Sequence, residues 1–388
     1  MTSRHICVVS TNRADLTALS PLLGSLRQEP DIRLSFVVSG PHATDTAELG
    51  HLGAPVTARL PYRSAIGGVA DNTVSLTNSI SVFSDYFVRS RPEIVLVTGD
   101  RCEMFGAATA AYLGGIPIAH LAGGDITQGS LDEGYRHAIT KFASLHFATN
   151  PDSASRLIAM GEQPSRVHLT GSPALDRLLS MEWRQDVQLP DDLTAALGGD
   201  FIVVTFHPET ISGLTGKQQA TEFVGALANV PTEFGLLITG TNDDPGAEPI
   251  RSALAELVST RKNAVYVKNL GSPLYWNALI QARAVVGNSS SGIYESPALG
   301  VPTVDVGTRQ QGRARPASVI QAPLRAPDIL TAIAQATNGD RPEPSSLYGD
   351  GDASVRITKS LREISLPGLH QPKVFYDLPA KEIHEPRG

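Results

Sequence analysis

The sequence has 388 residues, of which 41% are hydrophobic and 18% charged, with a formal net charge of −7. This length suggests two domains, and the negative charge argues against broad binding to nucleic acid, whose phosphates repel an acidic surface. Cys7 and Cys102 form no disulfide or metal-binding pattern, and no apolar run reaches the roughly 18 residues that a membrane helix needs. We therefore expect a cytoplasmic protein with neither a nucleic-acid nor a membrane partner.

The first half of the chain alternates short apolar runs with longer helical patterns. Cys102–Leu113 and Glu133–Leu145 are clear amphipathic stretches. The runs that predict buried strands are Ile6–Val9, Leu34–Val38, Ile94–Val97, Ile116–Leu121 and His146–Ala148. Apolar strands separated by helices indicate a parallel sheet that is covered on both faces.

A second α/β series follows a polar stretch, 180–199, which we interpret as the connection between domains. Its predicted strands are Phe201–Phe206, Gly235–Ile238, Ala264–Val267, Ala284–Val286 and Val301–Val304. We expect a Rossmann-like domain over 1–185, a second over 186–365 and a C-terminal tail over 366–388. The tail is rich in proline and charge, which favours a loose terminus over an arm that packs on a partner.

Polar residues follow two strands of the first half, at the edge of the sheet where ligands of parallel sheets bind. Arg13 lies in a polar turn after the first strand and could pair with phosphate. Taken alone, however, this turn favours a helix cap and a surface arginine. Asp100 follows Ile94–Val97 and is either a carboxylate that faces a cleft or a helix cap.

The loop after Ile116–Leu121 contains the paired glycines Gly123 and Gly124, which would let the backbone approach a ligand closely. It also carries Asp125 and Asp132. Carboxylates that are crowded together shift one another's pKa values, which suits acid–base catalysis. The same segment fits a helix capping box, so a structural and a catalytic role are both open.

Two segments of the second half are candidates for binding an anion. His207 follows a strand and could hold phosphate or relay a proton. Gly287–Gly292 contains three serines between two glycines, more than a helix cap needs, and backbone N–H groups at a helix start bind anions. Arg309 follows the next strand and adds a guanidinium at the same edge.

Motifs for other chemistries are absent from the sequence. It contains no Gly-x-Gly-x-x-Gly or Walker loop, so nothing favours NAD or ATP chemistry. His-Glu-x-x-His is also absent, so no zinc hydrolase is indicated. We expect neither a cofactor nor a metal.

Several ordered motifs resemble those of the UDP-N-acetylglucosamine 2-epimerase family. The resemblance covers about residues 5–365. Its motifs are Gly99–Arg101, Gly123–Asp125, Arg136–Lys141, Gly287–Gly292 with Glu295, Gly307–Gln310 and Ser346–Gly351. The sequence is most similar to the hydrolysing branch, which makes N-acetylmannosamine for sialic-acid-type sugars.

The resemblance implies a GT-B-like α/β fold, with two Rossmann-like three-layer domains and the active site in the cleft between them. It also implies a UDP-sugar substrate, no cofactor, and a homodimer or homotetramer. Three residues would lie near the phosphates: Arg13, His207 and Arg309. The other nucleotide contacts would be Ser289 and Ser290 at the diphosphate, Glu295 at the ribose and Asn242. The acid–base candidates at the sugar would be Asp100 and Asp132.

The sequence departs from the family pattern at two positions. Ala122 stands where a catalytic Glu is usual, and Asp125 could replace it, or Asp100 and Asp132 could suffice. Ala18 stands where the first helix commonly has Lys. Our first hypothesis is a hydrolysing epimerase. The alternatives are a non-hydrolysing epimerase, a GT-B glycosyltransferase and an inactive nucleotide-sugar binder.

Overall fold

A computed structural model describes residues 3–12, 15–44, 53–62, 69–128, 132–180, 182–185, 187–210, 212–242 and 244–378. The chain divides into two compact units by its internal contacts. The first contains Met1–Ile126, Ser130–Asp176 and Gly349–Gly388, and the second contains Thr127–Gly129 and Arg177–Tyr348. The domains predicted from the sequence, 1–185, 186–365 and 366–388, remain a proposal about independently folding parts.

Each unit is built on a parallel sheet. The strands are β1 (Arg4–Ser10), β2 (Ile32–Ser39), β3 (Ala58–Leu60), β4 (Ile94–Thr98), β5 (Ile118–Leu121), β6 (Leu145–Ala148), β7 (Val167–Leu169), β8 (Phe201–Thr205), β9 (Gly235–Thr239), β10 (Ala264–Val267), β11 (Ala284–Gly287), β12 (Thr303–Val306) and β13 (Val319–Ala322). The first sheet has the order β3-β2-β1-β4-β5-β6-β7, and the second has the order β10-β9-β8-β11-β12-β13.

Helices connect the strands. They are α1 (Asp15–Gln28), α2 (Val69–Ser90), α3 (Cys102–Leu113), α4 (Asp132–Phe142), α5 (Pro151–Ala159), α6 (Asp176–Leu179), α7 (Asp191–Leu197), α8 (Gly216–Ala228), α9 (Ala247–Thr260), α10 (Ser272–Gln281), α11 (Ser291–Ala298), α12 (Ala326–Asn338), α13 (Ala353–Glu363) and α14 (Leu366–Leu369). No described helix combines the length and the apolar character needed to cross a membrane.

Both faces of the first sheet are buried. Successive side chains of a strand point to opposite faces, so Ile6 joins one core and Cys7 the other. Leu361 of α13 lies in the same core as Ile6, together with Leu19 of α1. Residues close to the C-terminus therefore complete the first unit.

The strand orders reverse direction at one point in each sheet, between β1 and β4 and between β8 and β11. Loops diverge at such a point and leave a crevice at the carboxyl ends of the strands, where ligands of open α/β sheets bind. Asp100 follows β4 in the first unit. His207 follows β8 and Ser289 follows β11 in the second.

The expected fold class is confirmed, because both units contain a parallel sheet with helices packed against it. All ten predicted strands overlap observed ones. The predicted helix Glu133–Leu145 was too long: α4 ends at Phe142, and Leu145 begins β6. Three strands were not predicted, namely β3, β7 and β13.

Candidate active site

Asp100 lies at the switch point of the first sheet, directly after β4. Its carboxylate contacts Nη2 of Arg136 on α4, and its side chain is 21% exposed. The preceding residue, Gly99, donates its N–H to the carbonyl of Leu121, at 3.0 Å, so the loop is held against the end of β5. Asp100 is thus fixed by a cation while part of it stays accessible.

Arg136 joins three segments of the first unit. Besides Asp100, its Nη1 donates to the carbonyl oxygen of Asp125 at 2.7 Å and to Oε2 of Glu133 at 3.0 Å. Only 5% of Arg136 is exposed. Sequence reasoning did not select this arginine as a site residue, although its spacing of three from Glu133 on one helix was a usable signal.

Asp125 is anchored to the start of α5. Its Oδ1 accepts hydrogen bonds from the hydroxyls of Thr149 and Ser153, both at 2.7 Å. A Cβ on Gly124, whose φ is +79°, would collide with the carbonyl of Ser153. Packing against α5 therefore accounts for this glycine, which had been expected to admit a ligand.

Asp132 is the first residue of α4. Burial, a hydrogen bond with Cys102 and the charges of Cys102, Asp132 and Glu103 together raise the pKa of Tyr135 to about 12. Tyr135 therefore keeps its proton near neutral pH. Ser130, the expected partner of Glu133 in a capping box, lies outside the described residues.

His120 is completely buried behind this site. Burial lowers its pKa to about 3, against the opposing effect of a hydrogen bond with the carbonyl of Gly99. Because that carbonyl only accepts, Nε2 of His120, 2.8 Å away, carries the proton. Ala122 follows with a φ of +64°, a conformation that costs a residue with a Cβ about 1 kcal/mol or more.

The turn after β1 lies at the same switch point as Asp100, because β1 and β4 are neighbours in the first sheet. Asp15 accepts hydrogen bonds from the N–H groups of Thr11 and Asn12, at 2.8 and 3.0 Å. Two backbone N–H groups of this turn are thus already hydrogen-bonded to the carboxylate of Asp15. Arg13, the predicted phosphate ligand, lies outside the described residues.

In the second unit, Asn288 ties the ends of β8 and β11 together. Its side chain accepts from the N–H of His207 and donates to the carbonyl of the same residue, both at 2.8 Å. Its own carbonyl accepts from Nη1 of Arg309 at 3.2 Å and from Gln310 at 2.8 Å. One fully buried amide therefore positions two of the predicted residues.

His207 is neutral at physiological pH. Burial and the nearby Arg309 lower its pKa to about 4. Nδ1 of His207 accepts the backbone N–H of Asn242 at 3.2 Å, so the proton resides on Nε2. The structure thus brings together His207, Asn242 and Arg309, which lie in three separate segments of the sequence.

Ser289 and Ser290 precede α11. Ser290 is exposed and its hydroxyl makes no capping hydrogen bond to the helix, so helix capping does not explain it. A Cβ on Gly287 would collide with the carbonyl oxygen of Thr205, so only glycine allows β11 to approach β8 this closely. Hydroxyls at a helix start, together with the partial positive charge of the helix, suit an anion.

Glu295 lies one turn further along α11. Its Oε1 accepts a hydrogen bond from the indole N–H of Trp276 at 2.7 Å. Burial and the charge of Glu295 raise the pKa of Tyr275 to about 12. A half-buried carboxylate with one fixed partner can still accept hydrogen bonds from hydroxyl groups.

Glu209 is a second residue that sequence reasoning missed. It is 5% exposed, and its Oε1 accepts the N–H groups of Thr308 and Arg309, at 2.5 and 2.9 Å. Glu209 therefore holds the loop that contains Arg309 against the loop that contains His207. Its place two residues after His207 was a signal, but its partners lie about a hundred residues away in sequence.

The two units offer different chemistry. The first has carboxylates held around Arg136, as acid–base catalysis requires. The second has hydroxyls, a guanidinium and a neutral Nε2–H, which together suit a diphosphate. Among the described residues, no group of three or more His, Cys, Asp or Glu could hold a metal ion.

The chain is similar to proteins of a known family. The profile of the family described as UDP-N-acetylglucosamine 2-epimerase matches residues 24–362. A Campylobacter jejuni protein named GDP/UDP-N,N'-diacetylbacillosamine 2-epimerase (hydrolyzing) is 30% identical over 329 residues, which cover 84% of this chain and 85% of the relative. A Legionella pneumophila UDP-N,N'-diacetylbacillosamine 2-epimerase (hydrolyzing) is 30% identical over 372 residues, covering 94% and 97%.

The fold is also similar to that of a solved structure. The Neisseria meningitidis UDP-GlcNAc 2-epimerase bound to UDP-GlcNAc superposes with a TM-score of 0.78 at 20% sequence identity. The match covers 93% of this chain and all of the Neisseria chain. The chain therefore belongs to the UDP-N-acetylglucosamine 2-epimerase family.

Proposed function

We propose that this protein is a hydrolysing 2-epimerase that converts a UDP-linked 2-acetamido sugar into the free C2-inverted sugar and UDP. The observation that carries the proposal is the pairing of Asp100 with the buried Arg136 at the switch point of the first sheet. This pairing supports the proposal because it holds the carboxylate in one position while leaving it partly accessible at the sheet edge. The two relatives named as hydrolysing favour release of the free sugar over return of a UDP-sugar.

In the proposed reaction, a carboxylate removes the proton from C2 of the sugar. The electron pair forms a C1–C2 double bond, and the C1–oxygen bond breaks with its electrons leaving on UDP. Water then adds its oxygen to C1 of this glycal, while a proton adds to C2 from the opposite face. The proposed acid–base groups are Asp100, Asp125 and Asp132.

Most of the proposed contacts to the leaving group come from the second unit. Ser289 and Ser290 would donate to the diphosphate, Glu295 would accept from the ribose, and Arg13, Asn242 and Arg309 would complete the nucleotide site. His207 would donate Nε2–H to a phosphate oxygen. This hydrogen bond would stabilise the negative charge that develops on the departing diphosphate.

The substrate class follows from the same reasoning. UDP-N-acetylglucosamine and UDP-N,N'-diacetylbacillosamine share the C2 acetamido group and the diphosphate, and they differ at C4 and C6. The two relatives named above act, by their names, on the diacetylbacillosamine sugar. We therefore propose a UDP-2-acetamido sugar, and a direct comparison of these two substrates decides which substituents at C4 and C6 the site accepts.

The test is a proton NMR time course with each of these two UDP-sugars in D₂O. Free C2-inverted sugar with deuterium at C2, formed together with UDP, would support the proposal. Formation of a C2-inverted UDP-sugar would indicate the non-hydrolysing reaction instead. Transfer of the sugar to an added acceptor would indicate a glycosyltransferase, and tight binding without turnover would indicate a nucleotide-sugar binder.

Replacing Asp100 tests the catalytic part of the proposal. Asp100→Asn keeps the size of the side chain but cannot accept a proton, so deuterium exchange at C2 should fall at least a hundredfold, the scale of one general base. UDP affinity, measured by calorimetry, should stay within twofold. The matched control is Asp152→Asn, an exposed carboxylate on α5, which should keep full activity. Unchanged exchange in Asp100→Asn would remove Asp100 from the mechanism.

A further inference from the structure

A buried charge cluster lies at the far end of α4 from Arg136. Its centre is Glu162, whose side chain is 1% exposed and accepts from Lys141 at 2.7 Å, His146 at 2.9 Å and Lys373 at 2.5 Å. Burial alone would raise the pKa of Glu162, yet the three hydrogen bonds lower it to about 2. The carboxylate is therefore ionised. Removing a partner would lower the stability of the fold, because a buried charge would be left unpaired.

Lys373 closes the C-terminal end of α4. Its ammonium group donates to the carbonyl oxygens of Thr140, Lys141 and Ala143, at 2.9, 3.1 and 2.8 Å. The last carbonyls of a helix have no partner within the helix, and they carry a partial negative charge. A lysine from the C-terminal segment supplies both the hydrogen bonds and the charge that this end needs.

The segment around Lys373 makes specific contacts with the rest of the first unit, although most of its residues are exposed. Its composition had indicated a loose terminus. Tyr376 donates its N–H to the carbonyl of Gly161 at 2.9 Å. The ammonium of Lys141 lies 4.9 Å from the ring centre of Phe375. That ring occupies the space that a Cβ on Gly161 would need.

The same helix carries the acid–base site at its other end. α4 has 11 residues, so about 16 Å separate its two ends. Arg136 sits in between, and Thr140 lies one turn after it. The hydroxyl of Thr140 donates to the carbonyl of Arg136 at 3.1 Å and lies 3.5 Å from Nδ1 of His120. The other ring nitrogen of His120 donates to the carbonyl of Gly99, the residue before Asp100.

We propose that Lys373 is a positioning residue for the reaction, which holds α4 in the place that sets Arg136 against Asp100. A rigid helix transmits a shift at one end to the other, and small misplacements of reacting groups cost up to about a hundredfold in rate. The C-terminal segment is thereby part of the active-site scaffold. This inference rests on the proposed function for its effect on rate.

The experiment compares Lys373→Gln with Lys373→Arg and with the control Lys359→Gln, an exposed lysine on α13. Lys373→Gln should lower kcat about ten- to hundredfold, because Arg136 and Asp100 lose their alignment. KM and UDP affinity should change less than twofold, because the proposed nucleotide contacts other than Arg13 lie in the second unit. Lys373→Arg, which keeps a cation at the helix end, should restore most of kcat.

Amide hydrogen exchange gives a readout that does not depend on activity. In Lys373→Gln, peptides from α4 and from the loop after β5 should exchange faster, while peptides from the second unit should not. Unchanged exchange in α4, or a loss of kcat that Lys373→Arg does not reverse, would overturn the inference. If the wild type proves inactive on both UDP-sugars, the proposed function fails while hydrogen exchange still decides whether Lys373 fixes α4.

Discussion

Replacing His120 should change how the stability of the protein depends on pH. The ring is fully buried, and its pKa is lowered to about 3, whereas a histidine in the unfolded chain titrates near 6.5. Between these values the unfolded state binds one proton that the folded state does not. Stability therefore falls as the pH falls through this window, by up to about 1.4 kcal/mol per pH unit.

The magnitude follows from the two pKa values. Between pH 7 and pH 5, this one group should cost about 2 kcal/mol of unfolding free energy. His120→Gln removes the titration and keeps an N–H donor for the carbonyl of Gly99. The variant should be less stable than the wild type at pH 7, but the difference should shrink by about 2 kcal/mol at pH 5.

Urea unfolding followed by circular dichroism at several pH values measures this difference. Other buried histidines titrate equally in both proteins, so their contributions to the pH dependence cancel in the difference between the two unfolding free energies. The control His370→Gln changes an exposed ring, so its curve should run parallel to that of the wild type. Parallel curves for His120→Gln as well would refute the reasoning, because they would mean that folding does not lower the pKa of His120.

The second unit offers two more predictions. Ser290→Ala should weaken UDP binding by about 1–3 kcal/mol in calorimetry, the scale of a hydrogen bond to a charged group. The control Ser252→Ala, at an exposed position of α9, should leave the affinity unchanged. An unaltered affinity would exclude Ser290 from the diphosphate site. Gly287→Ala should lower the unfolding free energy by about 2 kcal/mol or more, since its Cβ meets the carbonyl of Thr205. Gly225→Ala within α8 has room and should be neutral or stabilising, so equal effects of the two changes would contradict the packing argument.

The sequence predicted the central strands well and the edge strands poorly. A run such as Ile94–Val97 is apolar throughout because both faces of β4 are buried. The missed strands β3, β7 and β13 all lie at sheet edges and contain half-exposed or exposed residues. Their sequences lack a continuous apolar run, so periodicity could not separate them from loops.

The sequence indicated that polar residues follow the strands at the sheet edges, but it did not indicate how these residues are connected. Asp100, His207 and Ser290 stood out because polar residues directly followed apolar strands. Arg136 and Glu209 were not selected, because their spacing from Glu133 and His207 does not reveal their partners in distant loops. The role of Lys373 was hidden for the same reason, since proline and charge in its segment indicated a loose end.

The place of α13 in the first unit has a consequence for how the chain folds during synthesis. Leu19 and its neighbours on α1 are made early, but Leu361, which shares their core, leaves the ribosome only after the whole second unit. At about 5–20 residues per second, the apolar surface of α1 stays uncovered for on the order of 20–70 s before Leu361 is made. Chaperones that bind apolar segments of nascent chains would meet this protein in that interval.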